Sequence, residues 1–373
     1  MIKLYSFRKF INDVHLWLGL ISGLVLFTVC LSGTVYTFSD EIQELLDPAK
    51  YQATHVTGQQ RKPVDTLIRQ VQSQHKGPLV YVIVPDDPDR AYTISVRQRP
   101  KDKWGSAYYV NPYTGQLQGT GDTKLAAFFL WTMNLHRWLL IREHGGMLIV
   151  GMATLVFVVL TLTGLFLWVP KKLRGWKRGL TIKFSSNWKR INHDLHNTLG
   201  FYALPLLLVM ALTGLCWSFE WYSSGVSKLI GAEVWGEYYA KPLRSEPAYG
   251  RQPVGLNGIV SQVGNIFNYP GQTFIRLPKD SSGVIITEKT HDGFFALASV
   301  DKISTDQYSG KAVKIERFDD KSDSEKLVSL VRPLHIGSVY GTFSKILYFI
   351  ACLIATSLPV TGCLIYFNKL KRL

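Results

Sequence analysis

Four stretches of the chain, 16–38, 147–169, 199–219 and 346–367, stay apolar over 21 to 23 residues, with charge only at their margins, at Glu220 and Lys345. At about 1.5 Å of helical rise per residue, each is long enough to cross a hydrocarbon core of roughly 30 Å. The segments between them are patterned differently. Residues 63–75 place Val64, Leu67, Ile68 and Val71 at helical spacing, and alternating runs at 79–84, 91–97 and 106–110 predict strands, closed by the turn Asn111-Pro-Tyr-Thr-Gly115. Residues 252–265, then 273–277, 283–287 and 294–300, give the same order and end in Thr305-Asp-Gln-Tyr-Ser-Gly310. Each such segment predicts one helix packed on its own small antiparallel sheet. The expected fold is an α-helical membrane protein with four transmembrane helices and two α+β domains outside the bilayer.

Charge orients this arrangement. The 373 residues are 47% hydrophobic, carry a net charge of +15 and have a mean hydropathy of +0.07. That is too apolar for a typical basic nucleic-acid binder, and no nucleic-acid partner is expected. Lys3, Arg8 and Lys9 precede the first span; Lys171, Lys172, Arg174, Lys177, Arg178, Lys183, Lys189 and Arg190 fill the loop 170–194; Lys369, Lys371 and Arg372 end the chain. Across 1–14, 170–194 and 368–373 these make 14 basic residues against two acidic ones, Asp13 and Asp194. The positive-inside rule places all three segments in the cytoplasm, against anionic lipid. The expected order is a first transmembrane helix within 1–38, an outer domain at 39–130, a second helix within 131–169, and the basic loop 170–194. A third helix within 195–219, an outer domain at 220–330, and a fourth helix with its tail within 331–373 complete it. A cleaved signal peptide over 1–31 is not expected, because no Ala-x-Ala-like site follows.

The halves resemble each other. Aligning His15 with His196 brings Asp13 onto Asp194, Leu18 onto Leu199, Gly19 onto Gly200, Leu31 onto Leu212, Gly33 onto Gly214 and Phe38 onto Phe219 without a gap. Leu135-His136 matches Leu334-His335, and Thr163-Gly164 matches Thr361-Gly362. This predicts two parallel repeats related by a pseudo-two-fold axis along the membrane normal.

The repeat gives the histidines their meaning. His15 and His196 fall at the cytoplasmic ends of spans one and three, and His136 and His335 fall on the outer side before spans two and four. An ionisable side chain at membrane depth is costly unless it is satisfied, so two symmetric pairs point to function. Paired neutral imidazoles from facing helices suit bis-histidine ligation of a b-type haem, with iron taking one nitrogen above and one below the macrocycle. Gly19 and Gly200, one turn beyond His15 and His196, would leave room for a flat ring. Two pairs on opposite sides of a membrane cannot meet around one zinc or copper ion. Asp13 and Asp194 are expected as helix N-terminal caps, and His193 as a polar residue at a helix start. His55, His75 and His291 are expected to face solvent. Cys30, Cys216, Cys352 and Cys363 all lie in the spans and read as packing residues rather than a disulfide framework.

Depth leaves a choice on the outer side. Helical rise puts His144 about 30 Å from Gly164, close to the roughly 27 Å from His15 to Gly33, whereas an unbroken helix would carry His136 about 42 Å away. Span four has no counterpart of His144, however. A helix broken at Gly145-Gly146, and at Gly337 or Gly341, would fold the preceding segment back. His136 with His335 is therefore the expected outer pair, with His144 as its substitute.

The pieces Asp13-Val-His-Leu-Trp-Leu-Gly19, Leu135-His-Arg-Trp-Leu139, Asp194-Leu-His-Asn-Thr-Leu-Gly200 and Pro333-Leu-His-Ile-Gly337, with the Ser/Thr-Gly span endings, resemble the PepSY-associated transmembrane family. Val110-Asn-Pro-Tyr-Thr-Gly-Gln-Leu117 is similar to the PepSY strand-turn signature, with a degenerate copy around Tyr308-Ser-Gly310. The resemblance covers nearly the whole chain. It implies a protein of the bacterial inner membrane with two periplasmic PepSY-like domains, and family members include haem proteins of iron uptake, some of them reductases of ferric siderophores. Where the family often has Gly-Glu-Pro-Gly after its Leu-His-Arg motif, this chain has Arg142-Glu-His-Gly-Gly146.

The function expected is that of an oxidoreductase with two b-type haems, the inner on His15 and His196 and the outer on His136 and His335. It would carry electrons from a quinol or a separate cytoplasmic reductase to a periplasmic ferric siderophore. Arg137, Arg142 and Arg332 are candidate partners for the outer haem's propionates, and Arg190 for the inner haem's. A non-enzymatic rival, in which the outer domains bind or regulate a periplasmic partner, leaves the symmetric histidines unexplained. A siderophore permease would need a polar path that these spans lack.

Overall fold

The computed structural model describes residues 6–55, 58–100, 102–170, 173–236, 241–246, 250 and 252–370. Lys3, Lys171, Lys172, Lys371 and Arg372 lie outside them, as does the side chain of Arg174. The chain divides into a helical unit (residues 1–38, 129–234 and 327–373) and a sheet unit (39–128 and 235–326).

In the helical unit, the helices among the described residues that are long and apolar enough to cross a membrane are Phe7–Thr37 (α1), Gly146–Trp168 (α6), Trp188–Ser218 and Gly341–Leu370 (α13). The first starts about two and a half turns before its apolar stretch because Ser6 caps it, accepting from the Lys9 amide at 3.3 Å. Asn187 does the same for Trp188–Asp194 (α7), accepting from the Arg190 amide at 3.0 Å. These caps replace the expected Asp13 and Asp194, which fall inside the helices. Asp194 instead sits buried in an ion pair with Arg190 at 2.9 Å. A π-helical turn at Leu195–Leu199 then joins α7 to Gly200–Ser218 (α8). Such turns rotate the side chains that follow, and this one carries His196. Ala203 and Leu207 of α8 pack on Ala351 and Ala355 of α13, and the three alanines let the helices approach closely in lipid.

Two helices precede spans two and four and turn back sharply. Lys124–Trp138 (α5) is followed by Leu139 and Leu140 with φ of 50° and 62°, a 3-10 turn at Arg142–His144, and Gly145 with φ of 80°. A Cβ on Gly146 would lie 2.0 Å from the Trp138 carbonyl oxygen, so only glycine permits this reversal. Val331–Ile336 (α12) stops at Gly337, whose φ of 78° is left-handed.

The sheet unit departs from the expected pair of small sheets. The strands are Leu79–Val84 (β1), Tyr92–Val96 (β2), Ser106–Val110 (β3) and Leu117–Thr120 (β4) from the first half, and Thr273–Arg276 (β5), Val284–Thr290 (β6), Val300–Asp306 (β7) and Ala312–Glu316 (β8) from the second; among the described residues they form one antiparallel sheet in the order β4-β3-β2-β1-β5-β6-β7-β8. The halves join at β1 and β5, with Tyr81 opposite Arg276, Val82 opposite Ile275 and Ile83 opposite Phe274. Val64–Gln74 (α4) and Leu256–Ile266 (α10) lay Leu67 and Ile259 onto Val82, Ile94, Val110, Ile275 and Ile285 in a common core. The halves also share a cap. Gly255 has no side chain to cap α10, and Asp65 of the other half accepts from the Leu256 and Asn257 amides at 2.7 and 3.2 Å. Ile275, fully buried at this seam, is expected to cost about 2–5 kcal/mol when cut to Ala, measured by denaturant unfolding of the purified protein.

A strand expected at 294–300 lies instead at 300–306. Residues 294–295 form an exposed turn after Gly293, and the buried run is Ile303 to Asp306, all four side chains packed away from solvent. The two turns correspond closely. Asn111 Oδ1 accepts from the Tyr113 and Thr114 amides at 2.9 and 3.1 Å, and Asp306 Oδ1 from the Tyr308 and Ser309 amides at 3.0 and 2.7 Å. Burial opposes the ionisation of Asp306, but hydrogen bonds from Ser309, Glu246 and Tyr308 outweigh it and hold the carboxyl down at about 2. The folded value lies below the roughly 3.9 of an unfolded aspartate, so this stabilisation is complete above about pH 4 and fades as pH falls towards 2. Asp306→Asn should therefore flatten that limb of the acid-unfolding curve followed by tryptophan fluorescence.

Candidate functional site

The helical unit brings the four predicted histidines together as two pairs. His15 of α1 and His196 of the π turn have ring centres 6.4 Å apart, with planes at 90°. His15 Nδ1 lies 2.9 Å from Thr163 Oγ1, and His196 Nδ1 lies 2.9 Å from Thr361 Oγ1. Each threonine already donates its hydroxyl hydrogen to its own helix, Thr163 to the Val159 carbonyl at 2.7 Å and Thr361 to the Ser357 carbonyl at 3.0 Å. The hydroxyl oxygens must therefore accept, and Nδ1 of each histidine carries the hydrogen. The next residue in each case is glycine. A Cβ on Gly164 or Gly362 would meet the facing histidine's Cε1 at 3.3 Å.

Beside this pair lies a cavity of about 450 Å³, mainly apolar, with Gly19 and Gly200 in its wall. Arg8, Asn12, His193 and Lys369 supply polar lining. Arg190, the expected cation here, is turned to Asp194 instead. Arg8 has a helix-ordering contact of its own, donating to the Leu167 carbonyl at 2.6 Å.

The second pair follows the same plan with different acceptors. His136 of α5 and His335 of α12 have ring centres 6.3 Å apart, with planes at 55°. His136 Nδ1 donates to the Val29 carbonyl at 2.9 Å, and His335 Nδ1 to the Met210 carbonyl at 2.9 Å, with Thr213 Oγ1 at 3.3 Å. Cβ atoms on Gly33 and Gly214 would approach the Cε1 atoms of His136 and His335 to 3.1 and 2.9 Å. Val29 and Met210, like Gly33 and Gly214, fall on one another in the alignment that matches His15 to His196. Trp217 leans on His335, with ring centres 5.2 Å apart. Arg137 and Arg142 both lie over the Trp138 ring, at 4.5 and 4.7 Å, and Arg332 is exposed. His144 is exposed in the 3-10 turn, so of the two outer candidates it is His136 whose ring faces His335.

Both pairs fit a metal held between axial imidazoles. Bonds of about 2 Å on each side, with roughly 1.1 Å from nitrogen to ring centre, separate two such rings by about 6.3 Å. With Nδ1 protonated on all four, Nε2 keeps its lone pair for a metal. Among the described residues no group of three or more His, Cys, Asp or Glu side chains is arranged to hold an ion. A metal at either pair would need a planar ligand to complete its coordination, as a porphyrin provides.

His55 and His291 are exposed, as expected, and His75 is half-buried; each also stacks on a tyrosine, Tyr113, Tyr269 and Tyr108, at 4.4, 3.7 and 4.1 Å. His193 stands in the last turn of α7 rather than at a helix start, 3.6 Å from Asp194. The four cysteines are all free. In the sequence Arg8 reads only as a charge and the Ser/Thr-Gly endings only as a mark of kinship. Their recurrence in all four spans, against four histidines, was the available signal.

The sequence model of the family described as PepSY-associated TM region matches residues 13–369. No curated protein matches the chain.

Proposed function

The chain belongs to the PepSY-associated transmembrane family, and from that premise we propose that it is a two-haem electron conduit of the bacterial inner membrane, reducing ferric siderophores on the periplasmic side. The observation that carries the reading is the recurrence of one donor set at two depths: two imidazoles, ring centres 6.4 and 6.3 Å apart, every Nδ1 committed to an acceptor. A haem at each pair supplies reversible one-electron chemistry between ferric and ferrous iron. His15 and His196 hold the inner group, and His136 and His335 the outer one. Arg8 and Lys369, in the wall of the inner cavity, are placed to receive carboxylates there.

From residue 15 to residue 29 the first helix rises about 21 Å, so the pairs lie at opposite ends of the same spans. One site alone would serve only one face of a bilayer. The basic segments before span one, between spans two and three, and after span four support cytoplasmic termini. That orientation puts the first pair towards a quinol or a separate reductase and the second towards the periplasm. Delivery of one electron to a ferric siderophore leaves iron in its softer ferrous state, which hard oxygen ligands hold less tightly.

The test begins with the absorption spectrum of purified protein. A six-coordinate low-spin b-type signal is expected, and its absence would sink the proposal. Stopped-flow reoxidation of the reduced protein by a panel of ferric siderophores then measures the reaction. Reoxidation no faster than that by solvent oxygen alone would remove the siderophore from the account.

A further inference from the structure

We propose that Thr163 and Thr361 are positioning residues that fix the tautomer of His15 and His196 and hold down the reduction potential of the inner site; the inference rests on the haem reading above. Each threonine oxygen accepts the Nδ1 hydrogen at 2.9 Å while its own hydrogen is spent on the backbone. That committed donation polarises the oxygen and makes it a better acceptor than a free hydroxyl. An imidazole whose Nδ1–H is drawn to an acceptor is a stronger donor through Nε2, which favours the more highly charged, ferric state of iron. The Leu160 and Leu358 carbonyls, 3.2 and 3.1 Å from Thr163 and Thr361 Oγ1, also accept from the His15 and His196 rings, so each Nδ1 hydrogen is shared between a hydroxyl and a main-chain oxygen.

The outer pair is the built-in control. Its hydrogens go to the main-chain carbonyls of Val29 and Met210, with Thr213 Oγ1 3.3 Å from His335 Nδ1, and no side-chain replacement at Thr163 or Thr361 touches those bonds. The inner site thus has a hydroxyl 2.9 Å from each Nδ1, where the outer site relies first on main-chain carbonyls. Nothing in helix packing requires this. Thr163 and Thr361 bond back to their own helices as any membrane threonine does, and only their second contact selects the histidine.

The experiment is a spectroscopic redox titration of full-length protein in detergent, with the inner step identified as the one missing from His196→Ala. Thr163→Val and Thr361→Val should each shift the inner midpoint upwards and leave the outer one in place, while Thr163→Ser, which keeps the oxygen, should titrate as wild type. Loss of the inner haem in the valine variants with retention in the serine variant would equally support the assignment. An unmoved or lowered inner step, a shift of both steps together, or loss of the inner haem in valine and serine variants alike would overturn it. The result is separable from the underlying reading: protein without any b-type absorption defeats that reading, whereas a normal wild-type spectrum with an unmoved inner step defeats only the role of the threonines.

Discussion

His196→Ala is expected to halve the haem content of the purified protein and to abolish reduction of the remaining haem by a cytoplasmic-side donor. The imidazole is the whole of its contribution at that site: Nδ1 is tied to Thr361, the ring rests on Gly362, and alanine offers no metal ligand. The partner His15 stays held by Thr163, but one imidazole alone would not retain the group, so the inner signal is expected to be lost with it. The second pair keeps all its own contacts, so its absorption survives. His136→Ala is the mirror experiment, retaining the inner signal and losing the outer. Pyridine haemochrome quantification with low-temperature spectra reads both. Loss of both signals from either variant would show that the pairs do not form independent sites.

The second large effect comes from a residue that carries no chemistry. Gly214→Val should empty the outer site as completely as removing His335. Even the Cβ of an alanine at 214 would lie 2.9 Å from His335 Cε1 and 3.4 Å from Nδ1, and valine adds two methyl groups to that clash. The ring must swing out, losing its bond to the Met210 carbonyl and with it the geometry of the pair. The effect should be graded by space. Gly164→Ala, whose Cβ would sit 3.3 Å from the His15 ring, should weaken the inner site without abolishing it, and Gly225→Ala, with nothing within 4 Å, should bind both groups as wild type does. Haem content across this series is the measurement. A Gly214→Val protein with two intact low-spin signals would mean that His335 is not a ligand.

Much of this organisation was legible because its signals are long or repeated. Uninterrupted apolar runs located the four spans to within a few residues of their cores, and the largest outward shifts came where Ser6 and Asn187 capped helices that begin in polar sequence. The four site histidines were legible from the repeat, not from any one motif. The choice of His136 over His144 needed the chain reversals at Leu139 to Gly145 and at Gly337, and glycine patterns only hinted at these. What alternation could not reveal was partnership. A strand's sequence shows which face it buries but not which strand lies beside it, so β1 and β5 looked like members of two sheets. The acceptors of the histidine Nδ1 atoms were hidden for a related reason. Two of them are main-chain carbonyls, which every residue possesses and no sequence marks.

The seam between β1 and β5 has a consequence for how the chain holds itself together. A half-length chain would end its sheet at a bare β1 or β5, with a row of unpaired amides and carbonyls, and the second half would lack the carboxylate of Asp65 that finishes its helix. Two separate halves would have to find each other by collision within the membrane plane. Covalent linkage replaces that search with a tether, which sets a local concentration of one half around the other that can reach the millimolar range for short flexible connections. Copy number in the membrane then ceases to govern assembly: a single chain synthesised alone already carries the complement to its own open edge.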